Sequence, residues 1–192
     1  MKELIVGEVR TKPKSVILKH TTGGSMTETN TLNILKKAII LEQRGHAFYK
    51  KVAEQAENEE VKSFFESMAQ EEIIHLKVLS AQFKAFNKGG LFEPRTFKEA
   101  QNSSLPQKVL NPEIMKKIAS AGFEASAISA AIAMEQRAVT IYADQADAAD
   151  DPEEKKLYKW LSSWERDHLN MLMEIDQALL DQVWGDNNFW PM

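Results

Sequence analysis

Six residues have types and spacings that suit a metal: Glu42, Glu72, His75, Glu135, Glu165 and His168. Glu72 and His75 are spaced i, i+3, and so are Glu165 and His168. On a helix that spacing keeps both side chains on one face. Their neighbours are apolar: Ile39, Ile40 and Leu41 precede Glu42, while Ile132, Ala133 and Met134 precede Glu135. Met68, Ile73, Ile74 and Leu76 surround the first Glu-x-x-His, and Leu161, Trp164 and Leu169 surround the second. A carboxylate facing an apolar interior is costly unless it is paired, neutralised or bound to a cation. Two divalent cations would balance four such carboxylates, and two neutral imidazoles complete the set.

The six residues belong to an internal repeat. Displaced by 93 positions, Glu42-Gln43-Arg44 falls on Glu135-Gln136-Arg137, Tyr49 on Tyr142, Glu72 on Glu165, and His75 on His168. Glu42 precedes Glu72 by 30 residues, as Glu135 precedes Glu165. In a helical hairpin with a short turn midway, residues about 15 before and after the turn lie at the same height. Each half therefore sets a Glu opposite a Glu-x-x-His. Tyr49 and Tyr142 each follow a candidate ligand by seven residues, nearly the same face two turns on. Their phenols are expected to hydrogen-bond ligand carboxylates.

Helical periodicity predicts the elements that hold these residues. The first helix is expected over about 31–57 and the second over 59–86, ended by Asn87-Lys88-Gly89-Gly90. A long connection with three prolines, about 88–112, is expected to cross the bundle. Asn111-Pro112-Glu113 starts a short helix that Gly122 breaks, and longer helices follow over about 125–148 and 152–183. The domain reading is an extension, 1–30, forming a short hairpin or flexible tail; a four-helix bundle, 31–183; and a tail, 184–192, packing on the bundle or a subunit partner. Glu71 and Asp167 point away from their ligand pairs on an ideal helix and are expected on the outer face. His46, whose counterpart is Val139, is expected to be packed or exposed and not a ligand.

Composition excludes several functions. The 192 residues, 43% apolar and 27% charged, describe an ordinary globular chain with a real core. A net charge of −4 without a basic run argues against nucleic acid. No run of about 18 apolar residues suggests a membrane helix, and no secretory pattern opens the chain, so a cytoplasmic protein is expected. With 0 Cys there are no disulfides, thiol nucleophiles, iron–sulfur clusters or four-cysteine iron sites. His and carboxylates remain, and they suit iron, or else manganese or zinc.

Over about residues 31–183 the sequence resembles the rubrerythrin-like branch of the ferritin-like superfamily. The motifs are Glu42 with Tyr49, Glu72-Ile73-Ile74-His75, Glu135 with Tyr142, and Glu165-Arg166-Asp167-His168. One Glu from each of two helices and a Glu-x-x-His from each of two others is the ligand pattern of ferritin-like di-metal proteins. The resemblance implies an all-α antiparallel four-helix bundle with a long crossover between its second and third long helices. It also implies two iron ions bridged by Glu72 and Glu165, with Glu42 and Glu135 terminal and each His on one iron. It implies reduction of hydrogen peroxide or dioxygen by electrons from a separate donor protein, in a homodimer or larger assembly. Such proteins carry a further Glu three residues before the third-helix ligand, where this chain has Ile132. The alternatives are a ferroxidase that handles iron as substrate and a non-enzymatic bundle stabilised by metal.

Overall fold

The computed structural model describes residues 24–94, 111–120 and 122–185. The described residues form five helices: α1 (Gly24–Gln55), α2 (Glu59–Gly89), α3 (Pro112–Ser120), α4 (Gly122–Ala148) and α5 (Pro152–Gly185). No strand occurs among them. The architecture is an all-α bundle of the ferritin-like kind, with four long helices and one short one.

Side chains at the turns fix where the helices start. Asn58 caps α2, its Oδ1 accepting from the amides of Glu60 at 3.0 Å and Val61 at 3.1 Å. Asn111 does the same for α3, accepting from Glu113 and Ile114, and Asp151 for α5, accepting from Glu153 and Glu154. Gly90, at φ 66°, ends α2 in the left-handed conformation, and its amide bonds Phe86 O at 2.7 Å. Just beyond, buried Gln82 accepts from the amide of Glu93 and donates to its carbonyl, both at 3.0 Å. That double bond turns the chain back and seats Phe92 against Phe86.

The short turns make α1/α2 and α4/α5 antiparallel hairpins. Contacts between the hairpins set their relative direction. Tyr49 bonds Glu135 while Tyr142 bonds Glu42, so α1 and α4 run antiparallel. Glu71 meets His168 while His75 meets Trp160, so α2 and α5 do too. It follows that α2 and α4 are parallel. The end of α2 and the start of α3, whose Lys117 pairs with Glu60 near the start of α2, lie at opposite ends of the bundle. That is the geometry a crossover serves; residues 95–110 lie outside the described residues.

The α1 helix begins at Gly24 and not near Thr31, so residues 24–30, expected in the N-terminal extension, are helical. Adding turns to an existing helix avoids the nucleation cost. The rest of the expected hairpin or tail, 1–23, and the end of the C-terminal tail, 186–192, lie outside the described residues.

Two apolar clusters fill the interior. One gathers Phe64, Phe65, Met68, Ile118, Ile128 and Leu172. The other gathers Leu35, Leu79, Leu157, Tyr158, Leu161 and Trp164. Tyr49 belongs to the first and Tyr142 to the second, and the polar residues they bond lie between the clusters.

Candidate metal centre

Each long helix contributes at the same height. Glu42 comes from α1, Glu72 and His75 from α2, Glu135 from α4, and Glu165 and His168 from α5. All six are at most 2% exposed. They converge in two overlapping groups: Glu42, Glu72, His75 and Glu165, and Glu72, Glu135, Glu165 and His168, each with one ligand atom per residue within 4.8 Å of the others. Glu72 and Glu165 are common to both.

The hydrogen bonding leaves the cluster short of positive charge. His75 Nδ1 lies 3.0 Å from Glu42 Oε2, 2.9 Å from Glu165 Oε1 and 3.5 Å from Glu72 Oε2. One ring nitrogen carries at most one proton, so it cannot satisfy three carboxylates. Glu165 Oε1, though close, is not aligned for a hydrogen bond and is a buried acceptor aimed into the cluster. Glu165 Oε2 lies 3.2 Å from His168 Nδ1.

Protonation equilibria answer to the same crowding. Burial pushes the Glu72 and Glu135 carboxyls well above the usual range, and the charge of Glu165 pushes further. Burial also works to raise Glu165, but His75 and His168 beside it overcome that and hold it well below the usual range. For the imidazoles burial opposes charge, yet the facing carboxylates outweigh it. His75 is raised well above its ordinary value, and His168 is pushed up to about 10. Protons thus serve where cationic charge is wanted, and metal binding would displace them. Four carboxylates, two imidazoles and no thiol make a hard donor set that fits two divalent ions of the iron or manganese type.

The tyrosines cross between the halves. Tyr49 OH donates to Glu135 Oε1 and Tyr142 OH donates to Glu42 Oε1, both in fully buried bonds. Each phenol holds the carboxylate of the opposite half because α1 and α4 are antiparallel. Burial and the neighbouring carboxylates push both phenols well above their ordinary value. With its Oε1 held, Glu42 keeps Oε2 turned toward His75.

Three residues near the site were not legible as such. Glu71, expected on the outer face, is 2% exposed, and its Oε2 lies 2.7 Å from both His168 Nε2 and Trp164 Nε1. On an ideal helix position 71 lies about 70° off the midline of positions 72 and 75, but α5 packs against that flank, so the buried arc of α2 is wider than the face Glu72 and His75 share. Trp164, expected as an apolar neighbour, is buried and donates to the same Glu71 oxygen. Gly45 is the third: a Cβ there would stand 3.0 Å from Glu72 Cδ and 3.1 and 3.3 Å from its oxygens. A glycine inside a helix costs about 1 kcal/mol relative to alanine, and here the space it leaves is taken by the Glu72 carboxylate. Asp167 is exposed, as expected. His46 turns to α2, its Nδ1 3.0 Å from Ala69 O. Gln43, Arg44, Gln136 and Arg137 are exposed.

A small void of about 10 Å³ touches Glu42, Glu72, Glu135 and Glu165 and is walled by Leu41, Gly45, Met134 and Ala138. Outside it, between α1 and α4, runs a groove of about 760 Å³, which Leu41 and Met134 also line. No helix among the described residues is long and apolar enough to cross a membrane. The family model described as rubrerythrin matches residues 33–176. No curated protein and no solved structure matches the chain.

Proposed function

The chain belongs to the rubrerythrin family, and on that premise we propose that it is a non-haem di-iron oxidoreductase that reduces hydrogen peroxide or dioxygen with electrons from a separate donor. The observation that carries the reading is the pair of four-residue groups sharing Glu72 and Glu165, which would hold two ions side by side. Glu42 with His75, and Glu135 with His168, would complete the two ions' ligand sets. When bound, a ferrous pair supplies two electrons, enough with two protons to take hydrogen peroxide to two waters, and the donor restores the pair.

The chain's own residues do the rest. Tyr49 and Tyr142 fix the terminal carboxylates, so their ligand oxygens are in place before metal arrives. The two apolar clusters exclude bulk water, which strengthens every charge interaction inside. The void beside the carboxylates, about 10 Å³, is at the lower limit for one water, so the site is closely packed around them.

The test is rapid mixing of anaerobic, ferrous-loaded protein with hydrogen peroxide and, separately, with dioxygen. Oxidation of both irons by either oxidant, with turnover only when a reductant is added, supports the proposal. Repeated turnover of added ferrous ion with no reductant would make iron the substrate and replace it with the ferroxidase reading. A redox-inert metal held tightly, with folding lost on chelation, would replace it with the structural one.

A further inference from the structure

Among the positions at which the two halves of the site differ, one pair meets in space. Position 71 corresponds to position 164 under the 93-residue displacement, and there the first half has Glu and the second has Trp. These two side chains bond each other, Trp164 Nε1 to Glu71 Oε2 at 2.7 Å. The same Glu71 oxygen lies 2.7 Å from His168 Nε2. Trp164 Nε1 and His168 Nε2 are 3.2 Å apart, but an indole N–H only donates. The consistent arrangement has Glu71 Oε2 accepting from both. His168 then holds a proton on Nε2 against Glu71, and Nδ1, which faces Glu165 Oε2 at 3.2 Å, is the nitrogen left to meet a metal in the site.

The other imidazole has no such partner. By the repeat, a carboxylate at position 164 would serve His75, and Trp164 stands there instead. Its ring meets His75 edge-on, with centroids 5.3 Å apart and planes at 88°, and Trp160 does the same at 5.6 Å. His75 Nε2 is buried with no hydrogen-bond partner. To offer Nδ1 to a metal, His75 must keep a proton on Nε2 with nothing to accept it, which is unfavourable in a buried site. A carboxylate on the far nitrogen of a ligand histidine raises its basicity and fixes its tautomer and ring orientation.

We infer that the two metal positions are unequal, and that Glu71 is the positioning residue that makes the His168 position bind its ion first and more tightly than the His75 position. The inference rests on the di-metal reading above and adds an order to it. Because the two ions share Glu72 and Glu165, the first would weaken the second even in a symmetric site. Two binding steps alone therefore prove nothing; which histidine owns the first step does.

The experiment is anaerobic calorimetric titration of the metal-free protein with Co2+, which needs no catalytic turnover. His168→Ala is expected to remove the tighter step, and His75→Ala the weaker one. Glu71→Gln keeps an acceptor oxygen and the shape but loses the charge. It is expected to weaken the tighter step by about 10–100-fold and leave the weaker step in place. Trp164→Phe keeps Glu71 on His168 alone, and the tighter step should stay with His168. A Glu71→Gln protein with an unchanged tighter step, or with both steps lowered alike, overturns the inference while leaving the di-metal reading standing. A tighter step that belongs to His75 overturns it too. A wild-type protein that binds no Co2+ overturns both.

Discussion

Gly45→Ala puts a methyl group against the carboxylate that both ligand groups share. The added Cβ would lie 3.0 Å from Glu72 Cδ. Unstrained carbon–carbon contact needs about 3.5 Å, so the carboxylate must retreat by roughly 0.5 Å. Metal–ligand distances tolerate only about 0.2 Å. Since Glu72 enters both groups, both binding steps should weaken, each by about tenfold or more, or about 1.4 kcal/mol per step. Two opposing terms set the stability without metal. Ala in place of Gly inside a helix gains about 1 kcal/mol, and overpacking a filled interior costs about 1–3 kcal/mol. The net is a loss of about 0–2 kcal/mol, with each kcal/mol lowering Tm by about 2–4 °C in a domain of this size. The equivalent position in the second half is Ala138, which already carries the methyl group, so only the first half has this space to lose. The assay pairs thermal unfolding of metal-free protein with anaerobic metal titration of wild type and variant. A variant that binds both ions as wild type does, with a Tm raised by the helix gain alone, would refute the idea that Gly45 makes room for Glu72.

Tyr49→Phe and Tyr142→Phe each leave one buried ligand oxygen without its donor, so each should destabilise the metal-free protein by about 1–3 kcal/mol in urea unfolding. An effect under a few tenths of a kcal/mol in both would mean that the phenols do not hold these carboxylates. Stability of the metal-free protein should fall as pH rises. The folded pKa of His168 is raised from 6.5 to about 10, so its contribution is fully present below 6.5 and lost as pH climbs to about 10. Raised Glu72 and Glu135 act in the same direction above pH 4.5, while lowered Glu165 costs stability as pH falls below 4.5. Urea midpoints measured from pH 5 to 10 should decline without metal and flatten with it; a rise toward pH 10 in the metal-free protein would contradict the assignment. Gln82→Ala removes both bonds to the Glu93 backbone and should speed hydrogen exchange at Glu93, leaving metal stoichiometry unchanged. Unaltered exchange there would show that Gln82 is not the clamp.

The six converging residues were legible because the chain states them twice. A lone Glu-x-x-His carries little information, but two of them, each 30 residues after a Glu in an apolar run, fix both the helical face and the hairpin register. The tyrosine bonds were legible as partners of ligand carboxylates. Which carboxylate each would take was not, because that depends on α1 and α4 running antiparallel. Glu71 was misplaced for a related reason. A wheel drawn on α2 alone does not include the flank that α5 covers, and there the Trp164 and His168 donors make a buried carboxylate affordable. The mismatch of Glu71 with Trp164 was visible in the sequence as one of several differences between the halves, and in the structure it is where the two halves meet. Gly45 gave only the signal of a glycine within a long helix. The early start of α1 was not legible because Gly and Ser are poor helix formers, whereas lengthening a helix that already exists needs no new nucleus.

The most direct test of the di-iron account is the iron content of protein purified without oxygen, set beside that of the Glu72→Ala, Glu165→Ala double variant. Those two carboxylates enter both ligand groups, so their removal should empty both positions together. The account predicts about two irons per chain in the wild type and close to none in the double variant, with the helical content of both retained. Wild-type protein that holds no iron after anaerobic reconstitution, or a double variant that still holds two, would contradict it.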